Sequence, residues 1–326
     1  MHYYWAKKKM TLISLMNNLK FSVIFLFGVL VLFSCDNTET KKGRFLLKGN
    51  EKLKENDPEA AVEFYTEALL IDPNYKDALY NRGLVYQQLN KLEEAISDFS
   101  VILMVNPTDS LALFQRGVGY MDNGEYYKAL EDSKNLLSNL PNSWKGHFLS
   151  GLILEKMKNY SEALLAFDNS LELQPDNPEV LINKATLHYY LKEFEQSEIS
   201  LDLAQKLNPS EPNIYNLRAM LSFEAKDYAK ALEWIEKSIK LNPKEAFFYN
   251  NRGLYLIYLG EYEKGLEDIN YSLKQNPKNL YAIRNKGIYY FYKDQKELAL
   301  SYFEEVYEKD PEIELVKEYI AKCNQK

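Results

Sequence analysis

Eight prolines recur at a constant interval and constrain the fold more than any other feature of the chain. They stand 34 residues apart, at Pro73, Pro107, Pro141, Pro175, Pro209, Pro243, Pro277 and Pro311. A fixed period of this length marks a structural repeat. With the proline taken as position 32, the units are 42–75, 76–109, 110–143, 144–177, 178–211, 212–245, 246–279 and 280–313, without an insertion.

Two further columns of the repeat are occupied only by small residues. Position 8 is Gly or Ala in every unit, and position 20 is Ala, Ser or Gly. Helices approach closely only where the side chains at their crossing are small, so each unit is predicted to be an antiparallel helix pair in which position 8 meets position 20. In units 2, 3 and 4 these residues are Gly83 and Ala95, Gly117 and Ala129, and Gly151 and Ala163.

The columns resemble the tetratricopeptide repeat family, whose pattern has a small residue at 8, Tyr at 11, Ala at 20, an aromatic residue at 24 and Pro at 32. Unit 2 carries the whole pattern in Gly83, Tyr86, Ala95, Phe99 and Pro107. The resemblance covers residues 42–313. It implies an all-α, right-handed α-solenoid of eight helix-turn-helix units, with a capping helix over 314–326. Because this fold serves many unrelated roles, the function stays open.

The N-terminal segment 1–34 differs from the repeats. Phe21 to Phe33 is an apolar run without a charge, too short to span a bilayer and typical of a signal-peptide core. It leads into Leu32-Phe33-Ser34-Cys35, which resembles the bacterial lipobox. The resemblance implies a lipid on Cys35, a membrane anchor in the bacterial cell envelope and a tether over 35–41. The alternative is an ordinary cleaved signal peptide, or a short anchor with an incidental cysteine.

The remaining chain is acidic. Removal of residues 1–34 leaves 36 basic and 47 acidic residues, a net charge of −11. Such a body repels nucleic acid and anionic lipid headgroups, so neither is an expected partner, and contact with the lipid bilayer is expected through the acyl anchor. The other cysteine, Cys323, lies on the apolar face of the final helix. No disulfide framework is therefore expected, and stability must come from the stacking of neighbouring repeats.

The sequence offers no constellation of catalytic residues. Two histidines remain after processing, His147 and His188, in helix-face columns shared with Leu, Tyr and Phe, which favours packed core positions. No Cys or His cluster has the spacing of metal ligands, and units without inserted loops leave no place for a catalytic loop. The sequence therefore predicts a protein that is not an enzyme, with no cofactor and no metal.

Position 7 is basic in seven of the eight units, which is compatible with an anion-binding track or with structural ion pairs. In the three units that combine Arg at 7 with Gly at 8 and Asp at 23, positions 7 and 23 flank the helix crossing. The matched residue types favour charge pairs between the two helices of one unit. The predicted pairs are Arg82 with Asp98, Arg116 with Asp132, and Arg252 with Asp268.

In related repeat proteins the concave surface is lined by positions 2, 5, 6, 9, 12 and 13 of the first helices. In units 2 to 4 this predicts an apolar trough that either holds a partner helix or packs against the adjacent unit; its residues are Tyr80, Leu84, Phe114, Val118, Phe148 and Leu152. Polar residues and amides follow the same surface and either contact an extended peptide or bridge neighbouring helices. They are Asn81, Gln115, Asn183, Asn250, Asn251, Arg284 and Asn285.

These features together predict a membrane-anchored scaffold or adaptor that binds a protein or peptide on its concave face. The chain is similar to tetratricopeptide lipoproteins that serve as assembly factors for envelope complexes. An alternative is a lipoprotein that captures peptides or glycans, favoured by aromatic residues near the C-terminal end, Phe247, Tyr258, Tyr281 and Tyr292. A hydrolase without a recognisable motif is a less favoured third class.

Overall fold

A computed structural model describes residues 37–325, and the predicted signal peptide and Cys35 lie outside them. The described residues form seventeen helices and no strand, which confirms the all-α class. The helices are α1 (Thr38–Lys54), α2 (Pro58–Ile71), α3 (Lys76–Gln88), α4 (Leu92–Val105), α5 (Ser110–Asp122), α6 (Tyr126–Asn139), α7 (Trp144–Lys156), α8 (Tyr160–Leu173), α9 (Pro178–Tyr190), α10 (Phe194–Leu207), α11 (Pro212–Glu224), α12 (Tyr228–Leu241), α13 (Ala246–Tyr258), α14 (Tyr262–Gln275), α15 (Leu280–Tyr292), α16 (Lys296–Lys309) and α17 (Val316–Cys323). Within 37–325, none of them has the length and apolar character needed to cross a bilayer.

The chain divides into two compact bodies between Leu140 and Pro141. The first body contains repeats 1 to 3, and the second contains repeats 4 to 8 followed by α17. The most extensive contacts join the two helices of one repeat. In the second body the first helices of consecutive repeats also contact one another, whereas the described second helices make no comparable contact. The first helices therefore form the inner face of this stack, and the second helices form its outer face.

Each helix pair is joined by the same turn. Position 15 has a left-handed backbone conformation in all eight repeats, with φ between 56° and 84°; the residues are Asn56, Asn90, Gly124, Lys158, Lys192, Lys226, Gly260 and Asp294. The next amide then bonds to a carbonyl of the preceding helix, as Asp57 does to Lys52 at 2.9 Å. This geometry satisfies carbonyl groups that a helix end would leave without a partner.

The ends of the repeat array differ from the predicted boundaries. The first helix begins at Thr38 and includes four residues of the predicted tether 35–41, because the side chain of Asn37 accepts a bond from the amide of Glu39 and caps the helix. At the other end, the predicted capping segment 314–326 contains a shorter helix, α17. Leu315 precedes it with φ at 68°, so the backbone turns sharply before the helix starts.

The helix crossing involves position 24 as well as position 20. A methyl group added at Gly83 would lie 2.7 Å from the ring of Phe99 at position 24, nearer than any other group. Gly49, Gly151 and Gly287 meet the rings of Tyr65, Phe167 and Phe303 in the same way. In repeat 7 position 24 is Ile269, which has no ring. There the predicted contact between positions 8 and 20 is present, because Gly253 faces the carbonyl oxygen of Gly265. The small residue at position 8 is therefore needed mainly because a ring lies on it.

Candidate functional site

The three predicted charge pairs are present. In each, the arginine donates from Nε and Nη2 to the two carboxylate oxygens, and the N–O distances lie between 2.6 and 2.8 Å; the pairs are Arg82–Asp98, Arg116–Asp132 and Arg252–Asp268. Burial raises the pKa of Asp98, and the bonds to Arg82 pull it in the opposite direction without cancelling the shift. Such bidentate bonds orient both helices of a repeat.

Other position 7 cations have partners that the sequence analysis missed. Three of them lie over an aromatic ring at position 23, at 5.4 to 5.7 Å from the ring centre: Lys48 over Phe64, Arg218 over Trp234 and Lys286 over Tyr302. Lys184 instead reaches back to Asp168 of the preceding repeat at 2.5 Å. The sequence contained a signal for the three ring contacts, because position 23 is aromatic in the same repeats. The basic column therefore links helices, which favours a structural role over an anion-binding track.

Three of the five amides of position 6 bridge neighbouring repeats. Each donates from its side-chain nitrogen to an asparagine oxygen of the preceding repeat: Asn81 to Asn50 at 3.1 Å, Asn251 to Asn216 at 2.8 Å and Asn285 to Asn250 at 2.9 Å. Asn183 bonds within its own helix, to the carbonyl of Glu179. Gln115 is half-buried, and its backbone carbonyl accepts from Gln87. The structure thus favours bridging over ligand contact for most of this column.

Three predicted groove residues are buried. Asn250, Arg284 and Asn285 are 3%, 7% and 0% exposed. Arg284 donates from Nε and Nη2 to the side-chain oxygen of Asn285, and from Nη1 to the backbone carbonyl of Glu314. Burial lowers the pKa of the Arg284 guanidinium. A buried guanidinium needs such acceptors, so these residues tie repeat 8 to repeat 7 and to the segment before α17, and they are not accessible to a ligand.

The predicted trough is only partly accessible. In the first body, Tyr80, Leu84, Phe114 and Val118 are half-buried, and the ring of Tyr80 packs edge-on against Phe99 at 5.8 Å. In the second body, Leu152 is half-buried, whereas Phe148 is buried and packs against the rings of Trp144 and Phe167. Phe148 is therefore a core residue, because its ring is already covered by neighbours of its own repeat.

Aromatic residues of the second body gather where first helices meet the turns. Rings at position 17 of one repeat lie against rings at position 13 of the next, at 4.9 to 5.9 Å; the pairs are Tyr160 with Tyr190, Tyr228 with Tyr258, and Tyr262 with Tyr292. Tyr190 and Tyr292 remain 47% and 38% exposed. Tyr258 is half-buried, and its hydroxyl lies 2.9 Å from that of Tyr319 in α17. At position 2, Tyr281 and Phe247 are 54% and 38% exposed.

Carboxylates accompany these tyrosines. Tyr189 donates to Glu224 at 3.2 Å. Burial, and then the nearby carboxylate of Glu155, raise the pKa of Tyr190 to about 12, with smaller contributions that include Tyr281 and Glu314. These side chains come from repeats 4, 5, 6 and 8 and from the segment before α17. Tyr281 and Glu314 both contact Arg284, whose guanidinium lies 5.4 Å from the ring centre of Tyr281 and donates to the backbone carbonyl of Glu314. We call them the tyrosine-glutamate face: Glu155, Tyr189, Tyr190, Glu224, Tyr281 and Glu314.

The histidines and Cys323 of residues 37–325 are candidate ligands and nucleophiles. Within residues 37–325, no cluster of three or more His, Cys, Asp or Glu side chains is arranged to hold a metal ion. His147 and His188 are half-buried, and Nδ1 of His188 lies 2.7 Å from the carboxylate of Glu193. Burial raises the pKa of the Cys323 thiol, which lowers the fraction of reactive thiolate. The surface described above is suited to binding.

Comparison with known proteins agrees with this geometry. Tetratricopeptide repeat models match residues 49–90, 76–109, 114–178, 154–221 and 212–245. A search of curated protein sequences found no match. Among solved structures, the Cut9–Hcn1 hetero-tetramer of the APC/C is similar, with a TM-score of 0.65 and 15% identity over 90% of this chain. The chain spans 58% of the length of that relative.

Two bacterial structures are also similar. PilF of Pseudomonas aeruginosa gives a TM-score of 0.51 at 20% identity, over 65% of this chain and 97% of PilF. A thermophilic tetratricopeptide protein of Thermus thermophilus gives 0.50 at 22% identity, over 56% of this chain and 98% of its own. At these identities the likeness shows the fold alone. With the repeat matches and the helix pairs, it establishes that the chain belongs to the tetratricopeptide repeat family.

Proposed function

We propose that this protein is a scaffold that binds a segment of another protein on the inner face of its second body, and that Cys35 tethers it to a membrane of the bacterial envelope. The observation that carries the binding proposal is the exposure of Tyr190, Tyr281 and Tyr292 on or beside the first helices. Large aromatic side chains supply much of the binding energy of protein interfaces, and their exposure in one region marks a site of contact.

The repeat framework supports this role because it holds the exposed rings in place. Asparagine bridges connect repeat 6 to repeat 7 and repeat 7 to repeat 8, and Arg284 connects repeat 8 to the segment before α17. A surface fixed by such bonds loses little conformational entropy when a partner binds. The buried polar residues therefore organise the inner face, while the rings at its edge remain available for contact.

Site-specific photocrosslinking in cells tests the binding proposal. A photoreactive phenylalanine analogue replaces Tyr190 or Tyr281 on the inner face, and Tyr307 on α16 serves as the control because it is 43% exposed on a second helix. We expect a discrete crosslinked protein from the first two positions and none from Tyr307. Equal crosslinking from all three positions would contradict an inner-face site. Glycan retention without any protein crosslink would favour the alternative of glycan capture.

The membrane tether rests on the sequence Leu32-Phe33-Ser34-Cys35 and is tested separately. We expect the wild-type protein to incorporate a labelled fatty acid and to sediment with membranes after a high-salt wash. The Cys35→Ala variant should lose both properties, because it lacks the acceptor thiol. Ser34→Ala is the matched control, since it changes the neighbouring residue and keeps a small side chain before the cysteine. Full membrane retention of Cys35→Ala would overturn the tether.

A further inference from the structure

We infer that the first half of α1 docks on anionic phospholipid headgroups of the membrane that holds the tether, so that this end of the first body lies against the bilayer. The inference rests on the proposed tether at Cys35 and goes beyond it, because a tether alone leaves the orientation of the first body open. The docking surface consists of Lys41, Arg44, Leu47 and Lys48, and we call it the basic end face.

The two helices of repeat 1 carry opposite charge. The first helix, α1, contains six basic and two acidic residues, whereas α2 contains three acidic residues and no basic one. The net charge of the whole body predicts repulsion from anionic lipid. Charges farther apart than a Debye length of about 8 Å are largely screened, however, so the local charge decides a contact. The surface of α1 therefore attracts anionic headgroups although the body as a whole is acidic.

Position 3 shows that the exposed side of α1 differs from the equivalent side of every other first helix. Repeat 1 has the exposed Arg44 at this position, whereas the other seven repeats have a small or apolar residue that is buried, such as Ala78 or Phe248. Ala78 belongs to the same buried cluster as Ala68 and Leu69 of the preceding repeat. Position 3 thus faces a preceding repeat elsewhere in the array, and in repeat 1 the same side of the helix is exposed and charged.

Positive charge is concentrated in the half of α1 that is nearest to the tether. Lys41, Arg44 and Lys48 are exposed at spacings of three and four residues, so they share one side of the helix. The acidic residue of this half, Glu39, is paired with Lys42 at 2.7 Å. A terminal repeat needs polar residues on its outer side, but either sign of charge meets that need. The excess of cations favours an anionic surface as the occupant.

The short covalent link to the tether keeps these cations near the lipid. Asn37, which caps α1, follows Cys35 by two residues, a separation of at most about 8 Å. Along the helix axis, Lys41 and Arg44 lie about 6 and 10 Å beyond Asn37, whereas Glu51 lies about 20 Å beyond it. Because the attraction to headgroups decays within a Debye length, the charges nearest to the tether decide its sign, and those charges are positive.

An apolar side chain accompanies the cations. Leu47 is 68% exposed beside Lys48, so it can enter the interfacial region of a bilayer while the lysine contacts the headgroups. The ammonium group of Lys48 also lies 5.5 Å from the ring centre of Phe64, which links it to α2. Lys41 and Arg44 are therefore the residues to vary, since their replacement leaves that link intact.

Fluorescence quenching tests the inference on the full chain reconstituted into vesicles. An environment-sensitive fluorescent amino acid replaces Leu47, and brominated phospholipids quench it where it contacts the bilayer. Tyr127 on α6 carries the same probe as a control, because it is 81% exposed in repeat 3 of the same body. In phosphatidylcholine vesicles with about 30% phosphatidylglycerol, we expect quenching at position 47 to be about threefold stronger than at position 127, and we expect comparable values in phosphatidylcholine alone.

Charge variants test the role of the cations. Lys41→Gln/Arg44→Gln should reduce the phosphatidylglycerol-dependent quenching at position 47 by about fivefold, and Lys41→Arg/Arg44→Lys should retain it, because both charges are kept. Lys274→Gln/Lys278→Gln removes the same charge from exposed lysines of repeat 7 and should change the quenching by less than about 1.5-fold. In the chain with unaltered charges, about 0.5 M salt should weaken the quenching as the first variant does, which makes the test independent of any loss of folding.

The results distinguish this inference from the tether. Equal quenching at positions 47 and 127, no dependence on phosphatidylglycerol, or equal losses in the two glutamine variants would overturn the basic end face. Fatty acid incorporation at Cys35 would then leave the tether standing. Conversely, phosphatidylglycerol-dependent quenching at position 47 in a Cys35→Ala protein that still sediments with membranes would support the docking of α1 and overturn the tether.

Discussion

The inner faces of the two bodies use the same repeat positions in different ways. In the first body, position 5 carries the half-buried Tyr80 and Phe114, and one amide bridge joins Asn81 to Asn50. In the last two repeats of the second body, position 5 carries Asn250 and Arg284, which are buried in a chain of hydrogen bonds. Position 5 therefore provides apolar surface in the first body, whereas in the second body it forms hydrogen bonds that join neighbouring repeats.

The charge pairs show a parallel difference. In the first body, Asp98 and Asp132 are 4% and 2% exposed, and each accepts two bonds from an arginine of its own repeat. In repeats 5 and 6 of the second body, the cations reach back to the preceding repeat, and the carboxylates remain in solvent; the side chain of Asp202 is 64% exposed. Burial decides how much each pair contributes to stability, and sequence position alone does not.

The largest expected effect comes from the buried bonds of the second body. Asn285→Ala removes the acceptor of Arg284 and the bridge to Asn250. It should reduce the free energy of unfolding by about 3 kcal/mol, because Nε and Nη2 of the buried guanidinium lose their acceptor and only Nη1 keeps its bond, to the carbonyl of Glu314. Asn81→Ala in the half-buried bridge of the first body should cost about 1 kcal/mol. Chemical denaturation followed by circular dichroism measures both changes, and equal values would remove the contrast between the bodies.

The second prediction concerns the two kinds of ion pair. Asp98→Asn leaves the half-buried guanidinium of Arg82 with a neutral partner and should cost about 2 kcal/mol. Asp202→Asn changes an exposed carboxylate and should cost less than about 0.5 kcal/mol. Thermal melts at low and high salt provide the measurement. A large, salt-sensitive loss in Asp202→Asn would show that the exposed pair matters more than its burial indicates.

The third prediction uses the helix crossings. Gly83→Ala should cost about 1 to 2 kcal/mol, because the new methyl group would lie 2.7 Å from the buried ring of Phe99. Repeat 5 of the second body combines Ala185 with the smaller Leu201, and both are fully buried. The double variant Gly83→Ala/Phe99→Leu copies that combination into the first body. It should therefore be more stable than the sum of the single changes implies, by about 1 kcal/mol in a double-mutant cycle.

The smallest effect on stability is expected at the proposed binding surface. Tyr281→Ser should change the free energy of unfolding by less than about 0.5 kcal/mol, because the side chain is 54% exposed. The same variant should lose the crosslinked partner when the photoreactive group is placed at Tyr190. A strong loss of stability without loss of the partner would instead place Tyr281 with the buried structural residues of its body.

The sequence predicted the features that depend on local chemistry or on matched columns. The 34-residue period determined the helix pairs, and the joint occurrence of Arg82 with Asp98 was sufficient to predict their contact. The ring of Phe99 over Gly83 was not predicted, because a small residue indicates a close neighbour without identifying it. The division after Leu140 was also missed, since the repeat continues across it without a change in spacing.

The candidate site was predicted less well. The residue type at an inner-face position shows which hydrogen-bonding groups are present, but it does not show which neighbouring residue they contact. Asn285 and a ligand-binding asparagine look alike in sequence, and burial distinguishes them. The tyrosine-glutamate face combines side chains from several repeats, such as Tyr189 of repeat 5 and Glu224 of repeat 6, so its assembly depends on how the helices of the second body stack. Tyr281 was singled out in the sequence as one of the aromatic residues near the C-terminal end, and the structure shows that it is 54% exposed.

The left-handed turn at position 15 also bears on how such a gene can change. All eight turns share this conformation, although the residue that adopts it is Asn, Gly, Lys or Asp. Each unit enters and leaves its turn in the same way. Duplication or loss of 34 codons therefore adds or removes one whole unit and leaves the helix pairs of the remaining units unchanged. The protein can thus change in length by whole units without altering the turns of the units that remain.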